Sequence, residues 1–300
     1  MISVIIPTHN RVGLLKRAIN SVLAQTYKDI EIIIISDGST DGTSTFVNNL
    51  QKTDARIKYH EYFPSKGGNY ARNKGILESK GDYIAFLDDD DEWLSEKLEK
   101  QLSIFDNNHK IGITYTGVRI IYVNEKIEYS FIGNKRGDLS KEILLDNCIG
   151  TTSTVMIRRE VLEKTGLFDL NLYALQDFDL WIRVCQYCLV DVVKEELVKY
   201  YNYTGSKQVS GATEKYINAF KFINEKYKDL HTSLSQVELK KKKINEYMLL
   251  ANKAMRNGDN KLSRKYITEL SNYGFSLKGL VYLLLTYTSF KTVLKFRSKL

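Results

Sequence analysis

Apolar positions along the first ninety residues alternate between two spacings. Ser3 to Ile6 is a short β-rich run that Pro7 is expected to stop, and Leu14, Leu15, Ala18, Ile19, Val22 and Leu23 then recur at helical spacing. Ile30 to Ile35 is a near-continuous β-branched run, the pattern of a strand covered on both faces. Ser39-Thr-Asp-Gly supplies turn and cap residues ahead of a helix through Phe46, Val47 and Leu50. Ile57 to Tyr62 reads as a strand, Asn69 to Ser79 as a helix, and Tyr83 to Leu87 as a strand entering an acidic run. This alternation predicts βαβ units and a mostly parallel central sheet, an α/β fold.

The middle of the chain is mixed. Gly112 to Val123 and Lys126 to Phe131 predict an antiparallel pair turned at Asn124. Leu139 to Asn147 reads as a short helix, Thr154 to Ile157 as a strand, Arg159 to Thr165 and Asp179 to Tyr187 as helices, and Val190 to Tyr201 as a strand. After Gly211 the pattern is helical only. Ile244, Tyr247, Met248, Ala251 and Met255 mark one face, and Leu262, Tyr266, Ile267 and Leu270 another. The expected division is an α/β domain over 1–210 and a helical region over 211–300.

Charge divides the chain in the same place. From Tyr201 to Leu300, 19 Lys and Arg stand against 7 Asp and Glu, whereas the first two hundred residues are slightly acidic, within a total of +8. A basic tail on an acidic body suits an anionic partner, a membrane surface or nucleic acid. Tail aromatics follow helical core spacing, which argues against nucleic acid. In the last helix, Leu277, Leu280, Val281, Leu284 and Leu285 form an apolar side, with Lys278, Lys291, Lys295, Arg297 and Lys299 around it. Such a helix is expected either at an anionic membrane surface or packed on the α/β domain or a second copy in a homodimer.

The apolar run Gly279 to Phe290 falls short of the roughly 20 residues that span a bilayer. Met1 opens into a strand rather than a secretory leader, and the expected location is cytoplasmic, peripheral at the inner face of the membrane. Cys148, Cys185 and Cys188 are an odd count, and the lone C-x-x-C lies in a helical stretch, so buried thiols in a reducing compartment are expected.

Three polar clusters fall at the carboxyl ends of expected strands, where parallel sheets bind ligands. They are Pro7-Thr-His-Asn-Arg11, Ser36-Asp-Gly-Ser-Thr-Asp41 and Asp88-Asp-Asp-Asp91. Four adjacent carboxylates repel without a cation, and hard oxygen ligands suit Mg²⁺ or Mn²⁺ beside substrate phosphates. Asp37, with Gly38 and Ser39, either binds a base or ribose or caps a helix. Lys66-Gly-Gly-Asn-Tyr-Ala-Arg-Asn73 brings a glycine pair and Arg72 to a helix start, a place suited to a diphosphate, without P-loop spacing.

The strings SVIIPTHNR, IIIISDGSTDGT, GGNYARNKGI and GDYIAFLDDDDEWLSEKLEKQ resemble family 2 glycosyltransferases of the GT-A fold. A weaker match continues through Thr151-Thr-Ser-Thr-Val-Met-Ile, Thr165-Gly-Leu-Phe-Asp169 and Leu175-Gln-Asp-Phe-Asp-Leu-Trp-Ile-Arg183, covering about two thirds of the chain. The resemblance implies an inverting transfer from a nucleotide-diphosphate sugar, typically of UDP, to a hydroxyl of a glycan or lipid-linked acceptor in bacterial polysaccharide synthesis. It implies that Thr8, Asn10 and Arg11, beside Pro7, line the nucleotide pocket, and that Asp37 accepts from the base. Arg72 lies near the diphosphate, Asp88 and Asp89 near ribose and sugar, and Asp90 on the metal, in a register open by one position. Asp177 matches the usual catalytic base, with Gln176 in place of the family's glutamate. Asp179 is a second candidate for that role, and helix capping is the structural alternative for Asp177. Two other readings share these features: a sugar nucleotidyltransferase, whose glycine-rich basic loop is missing, and a silent nucleotide- or glycan-binding module, against which the intact aspartates argue.

Overall fold

In the computed structural model, residues 1–203, 213–274 and 277–299 are described. β1 (Ile2–Thr8), α1 (Val12–Leu23), β2 (Ile30–Asp37), α2 (Thr43–Gln51), β3 (Ile57–Tyr62), α3 (Gly68–Glu78) and β4 (Tyr83–Phe86) alternate as the hydrophobic pattern predicts. Their strands lie in the order β3-β2-β1-β4, all parallel, with Ile2 level with Ile30 and Tyr83. Every residue of β2 is buried, because helices cover both faces. Ile2, Val4 and Ile6 pack with Leu15, Ile19 and Val22 of α1. Ile5 faces α3, where Gly75 permits close approach: a Cβ there would stand 2.4 Å from the Ile5 side chain.

Pro7 does not stop β1. The strand continues to Thr8, with Pro7 level with Ile35. β4 last pairs at Phe86, opposite Ile5, so the missing amide of Pro7 lies beyond that ladder.

Next come β5 (Glu92–Trp93), α4 (Lys97–Asn107), β6 (Ile111–Tyr122), β7 (Ile127–Phe131), α5 (Glu142–Leu145), β8 (Met156–Arg158), α6 (Arg159–Thr165), α7 (Gln176–Cys185) and β9 (Leu189–Asn202). β8 pairs antiparallel with both β4 and β6, and β9 runs parallel to β6. β5 and β7 join antiparallel, completing a nine-stranded sheet. β5 and α4 were not anticipated. α4 packs Leu98, Leu102 and Phe105 inward at helical spacing, with Lys97 and Gln101 buried beside them. The helix expected over Leu139 to Asn147 contracts to α5, and a 3-10 turn at Thr152–Thr154 replaces the start of the strand expected from Thr154. Cys148, Cys185 and Cys188 are free thiols, and burial pushes Cys148 and Cys188 up to about 12.

The carboxyl-terminal region holds α8 (Thr213–Lys226), α9 (Lys228–His231), α10 (Gln236–Arg256), α11 (Asn260–Glu269), α12 (Leu277–Leu285) and α13 (Phe290–Arg297). The expected boundary at 210/211 lies outside the described residues. On either side of it, the chain shares one core. Tyr216, Ala219, Phe220, Ile223 and Leu250 enter the same buried cluster as Tyr115, Phe178 and Trp181. Each large side chain buried there contributes about 1.5–3 kcal/mol.

The single final helix of the sequence reading is two helices. Ser289 interrupts it and caps α13 by accepting from the Thr292 amide. Val293 and Leu294 are buried, Phe290 meets Tyr122 edge-on, and Arg297 lies over the Tyr282 ring rather than in a surface ring of charge. Leu280 and Leu284 stay exposed, as do Lys291, Lys295 and Lys299. The side chains of Leu277 and Lys278 lie outside the described residues. No described helix is long and apolar enough to cross a membrane.

Candidate active site

The carboxyl ends of β1, β2 and β4 bring the three polar clusters to one edge of the sheet. Asn10 adopts a left-handed backbone, φ 52°, and its side-chain oxygen accepts from the Thr40 amide at 2.7 Å. Its own amide donates to Ser39 Oγ at 3.0 Å, which ties the first cluster to the second. Asp41 completes the join by accepting from the Val12 amide at 2.8 Å, so α1 is capped from the neighbouring loop.

Asp37, 5% exposed, is the centre of a small anion seat. It accepts from the Lys66 amide at 2.6 Å, the Gly67 amide at 2.8 Å and the Ser65 hydroxyl at 2.8 Å. Burial works against the charged form, but these donors outweigh it and hold the carboxyl below its usual range. The glycine-rich start of α3 therefore spends the amides of Lys66 and Gly67 on Asp37 rather than on a diphosphate. The Tyr62 hydroxyl adds to the same stabilisation of the charged form. The turn that delivers Asp37 needs Gly38, whose φ is +69° and whose Cβ would sit 3.0 Å from the Ser65 amide nitrogen.

One turn into α3, Arg72 donates to Asp88 at 2.6 Å. Asp88, and more weakly Asp177 and Asp89, outweigh burial and keep this guanidinium charged. Asp88 also accepts from Thr152 at 3.2 Å, and its amide donates to Ser153 at 3.1 Å. Asp89 accepts from Thr8 at 2.7 Å and from Arg11 at 3.1 Å, while Asp90 accepts from Arg11 at 3.2 Å. Burial, with Asp90 adding to it, pushes Asp89 up to about 6 despite Arg11 and Thr8. Arg17 bonds the Asp90 carbonyl and stacks on Tyr201.

Asp91 is fully buried, bonded by Ser153 at 2.6 Å and by the Tyr201 amide at 3.2 Å. The register of the acidic run is thereby narrowed: Asp91 is an internal brace, and Asp88, Asp89 and Asp90 remain for ligands. Among the described residues no three His, Cys, Asp or Glu side chains converge to cage an ion. One or two carboxylates plus phosphate oxygens suffice for Mg²⁺ or Mn²⁺, so the donor set at Asp90 fits such an ion in company with a diphosphate.

Asp177 and Asp179 part company. α7 begins at Gln176, earlier than expected, with Leu175 as its N-cap at φ 57°. Asp177 thus lies inside the first turn and is not the cap. It accepts from its neighbour's amide, Phe178, at 2.8 Å and from Asn147 at 3.5 Å. Burial pushes it up to about 6, against the Phe178 amide and Arg72. Asp179 is 0% exposed and is enclosed by Arg183 at 3.0 Å, Lys226 at 2.8 Å and the Tyr227 hydroxyl at 2.8 Å.

Sequence reasoning assigned no part to Ser65, Thr152, Ser153, Asn147 or Arg17. Thr152 and Ser153 stand in a quoted motif, but single hydroxyls carry no spacing signal of their own.

The family model described as glycosyl transferase family 2 matches residues 3–166. A Rickettsia bellii protein described as an uncharacterized glycosyltransferase is 30% identical over 263 residues, 85% of this chain and 36% of that protein. The chain thus spans about a third of that relative's length. A Bacillus subtilis glycosyltransferase provisionally named for teichuronic acid biosynthesis, TuaG, is 34% identical over 61% of this chain and 71% of its own. Among solved structures, S. aureus TarS 1-349 in complex with UDP-GlcNAc is similar in fold, with a TM-score of 0.61 at 16% identity over 99% of this chain and 91% of that one.

Proposed function

The chain belongs to glycosyl transferase family 2, and from that premise we propose an inverting transfer of a sugar from a UDP-sugar to a hydroxyl of a glycan or lipid-linked acceptor in cell-surface polysaccharide synthesis. Family membership sets aside the nucleotidyltransferase reading. The observation that carries the proposal is a continuous line of groups along one sheet edge. Asp37 anchors the start of α3, Arg72 follows one turn later, Asp88 pairs with it, and Asp177 lies within reach of Arg72's field.

Each group has a part in such a transfer. Asp37 accepts an N–H of the base, with Pro7, Thr8, Asn10 and Arg11 forming the adjoining wall. Arg72 sets fixed positive potential beside the diphosphate, which lowers the cost of charge developing on the leaving group. Asp88 and Asp89 orient ribose and sugar through their hydroxyls. A divalent ion held at Asp90 would supply Lewis-acid neutralisation of the diphosphate. Asp177 removes the acceptor proton, a role typically worth about 10²–10⁴ in rate. Attack from the face opposite the nucleotide inverts the anomeric carbon. The basic helices at the carboxyl terminus suit work at the inner face of a membrane.

Calorimetry with UDP, GDP and CDP, each with Mg²⁺ or Mn²⁺, tests the donor reading. UDP should bind and Asp37→Ala should weaken it at least tenfold. Absence of binding by any nucleoside diphosphate would refute the proposal.

A further inference from the structure

The carboxyl-terminal helices leave a pocket where they meet the α/β domain. Leu145 at the end of α5, Phe178 of α7, Phe220 of α8 and Leu249 of α10 line it. Its inner volume is about 40 Å³, room for roughly three water-sized groups. Asn147 also lines the pocket, and this side chain ties it to the proposed base. The Asn147 amide group reaches Asp177 at 3.5 Å and the Gly150 carbonyl at 3.1 Å, while its oxygen accepts from the Gly150 amide at 3.0 Å. Trp181 donates to the same Gly150 carbonyl at 3.1 Å, so Asn147 is held on a fixed turn. Phe178 directly follows Asp177 in α7, so carboxylate and pocket wall are consecutive residues.

Most of the lining is apolar, and its ionic groups are already matched. Lys242 pairs with Glu246, which also takes Lys243 at 3.2 Å and the Asn224 amide group at 3.1 Å. Asn245 spends its amide group on the Leu145 carbonyl and on Asp146, both at 3.3 Å. Its carbonyl oxygen is left to accept an N–H. Lys242 has three ammonium hydrogens and bonds Asn224 and Glu246, which leaves one for a carbonyl. An anion finds no unmatched cation in this lining, and a fatty chain exceeds the volume. A short neutral group with an apolar end, one donor and one acceptor fits: an acetamido group. Burying an amide requires partners for both its N–H and its C=O, and both are in place.

We infer that this pocket receives the acetamido group of a 2-acetamido sugar at the acceptor end. Its methyl packs against Phe178, Phe220 and Leu249, and its amide lies between Asn245 and Lys242. In such a sugar a ring hydroxyl sits on the carbon next to the acetamido carbon, which suits delivery to Asp177 past Asn147. The inference deepens the proposed transfer and rests on the reading of Asp177 as the acceptor-side base.

The test uses the full chain, with and without saturating UDP, and three probes: methyl N-acetyl-β-glucosaminide, its N-butanoyl analogue and methyl β-glucoside. Ligand-observed NMR gives the affinities. The acetamido probe should bind at least tenfold more tightly than the glucoside, about 1.4 kcal/mol. The N-butanoyl analogue should bind no better than the glucoside. Leu249→Phe should fill the pocket and erase the acetamido preference. Leu249→Ala should enlarge it and shift the preference to the N-butanoyl probe, with UDP affinity unchanged in both variants. If Leu249→Phe does not fold, the Leu249→Ala shift decides alone. Equal binding of the acetamido probe and the glucoside to wild type, undetectable binding of both included, overturns the inference. So does a preference that neither substitution alters, which would put the acetamido group elsewhere. UDP binding is measured separately, so its failure counts against the donor reading, while the probe comparison without UDP still judges the pocket.

Discussion

Asp177 and Asp179 lie two residues apart on one helix and meet opposite surroundings. Asp179 has three donors and no exposure, whereas Asp177 has two weakly compensating donors and a carboxyl pushed up to about 6. As a base, Asp177 must be ionised. The rate should therefore rise about tenfold per pH unit below 6 and level off above it. Asp177→Asn should lower kcat by about 10²–10⁴, leave donor affinity within twofold, and abolish that acidic limb. A pH–rate profile of wild type and variant decides the matter, and equal loss of donor binding would make the residue structural. The same shift has a stability consequence. A folded-state pKa above the ordinary 3.8 favours the native state below pH 4, and that contribution is lost as pH rises through 6. Above pH 6 the ionised group costs about 3 kcal/mol. In urea titrations Asp177→Asn should gain about 1–3 kcal/mol at pH 7.5 and nothing at pH 4. The difference between the two aspartates was not legible in the sequence, since both fit the spacing and the partners that enclose Asp179, Lys226 at the end of α8 and Tyr227 just before α9, lie about fifty residues away.

β1, β2 and α1, with an apolar run or one apolar stripe, were legible, and β3 and α3, with mixed faces, also stand within about two residues of their expected ends. α4 was missed although Leu98, Leu102 and Phe105 recur at helical spacing; what periodicity does not reveal is Lys97 buried over Trp93 and bonded to Gln101 at 2.7 Å. The glycine pair of α3 was found, but its amides serve Asp37, a contact set by the crossing of two loops. The union of α7 with the following helices also rests on polar contacts. Asp179→Asn would leave Lys226 and Arg183 facing an uncharged amide, and removing one partner from a buried ion pair typically costs about 3–5 kcal/mol. Because Lys226 is partly exposed, the expected loss is nearer 3, read as a fall in the urea midpoint. A variant as stable as wild type would show that the apolar cluster alone joins the two parts. The acidic loop offers a separate check on the metal. Asp90→Asn should reduce UDP affinity in Mg²⁺ or Mn²⁺ to the level of wild type in chelator, and full transfer in excess chelator would exclude the metal role.

At the scale of the whole molecule, positive charge is displaced toward the carboxyl end. The last hundred residues hold 19 of the 44 Lys and Arg. There, Leu280 at 42% and Leu284 at 62% exposure stand one turn apart on α12, with Tyr287 at 72% just beyond. Exposed Lys291, Lys295 and Lys299 follow on or beside α13. Each Lys near an anionic leaflet contributes about 1 kcal/mol, and an apolar ridge between such charges inserts shallowly. The rival, that these helices serve only to cover the sheet, accounts for Val293, Leu294 and Phe290 but leaves Leu280 and Leu284 with nothing to cover. Truncating the chain before the helix pair would strip Met255 and Ile267 of Tyr282 and Val293, the residues buried against them, and confound the result. Leu280→Asp with Leu284→Asp alters only the outward ridge. The wild-type chain should float with vesicles containing phosphatidylglycerol and sediment free from neutral vesicles, and 0.5 M salt should release it. The double variant should lose flotation by at least tenfold while keeping its UDP affinity. Should wild type stay unbound at low salt, or the variant float as well as wild type, α12 is no membrane contact and its leucines face a protein.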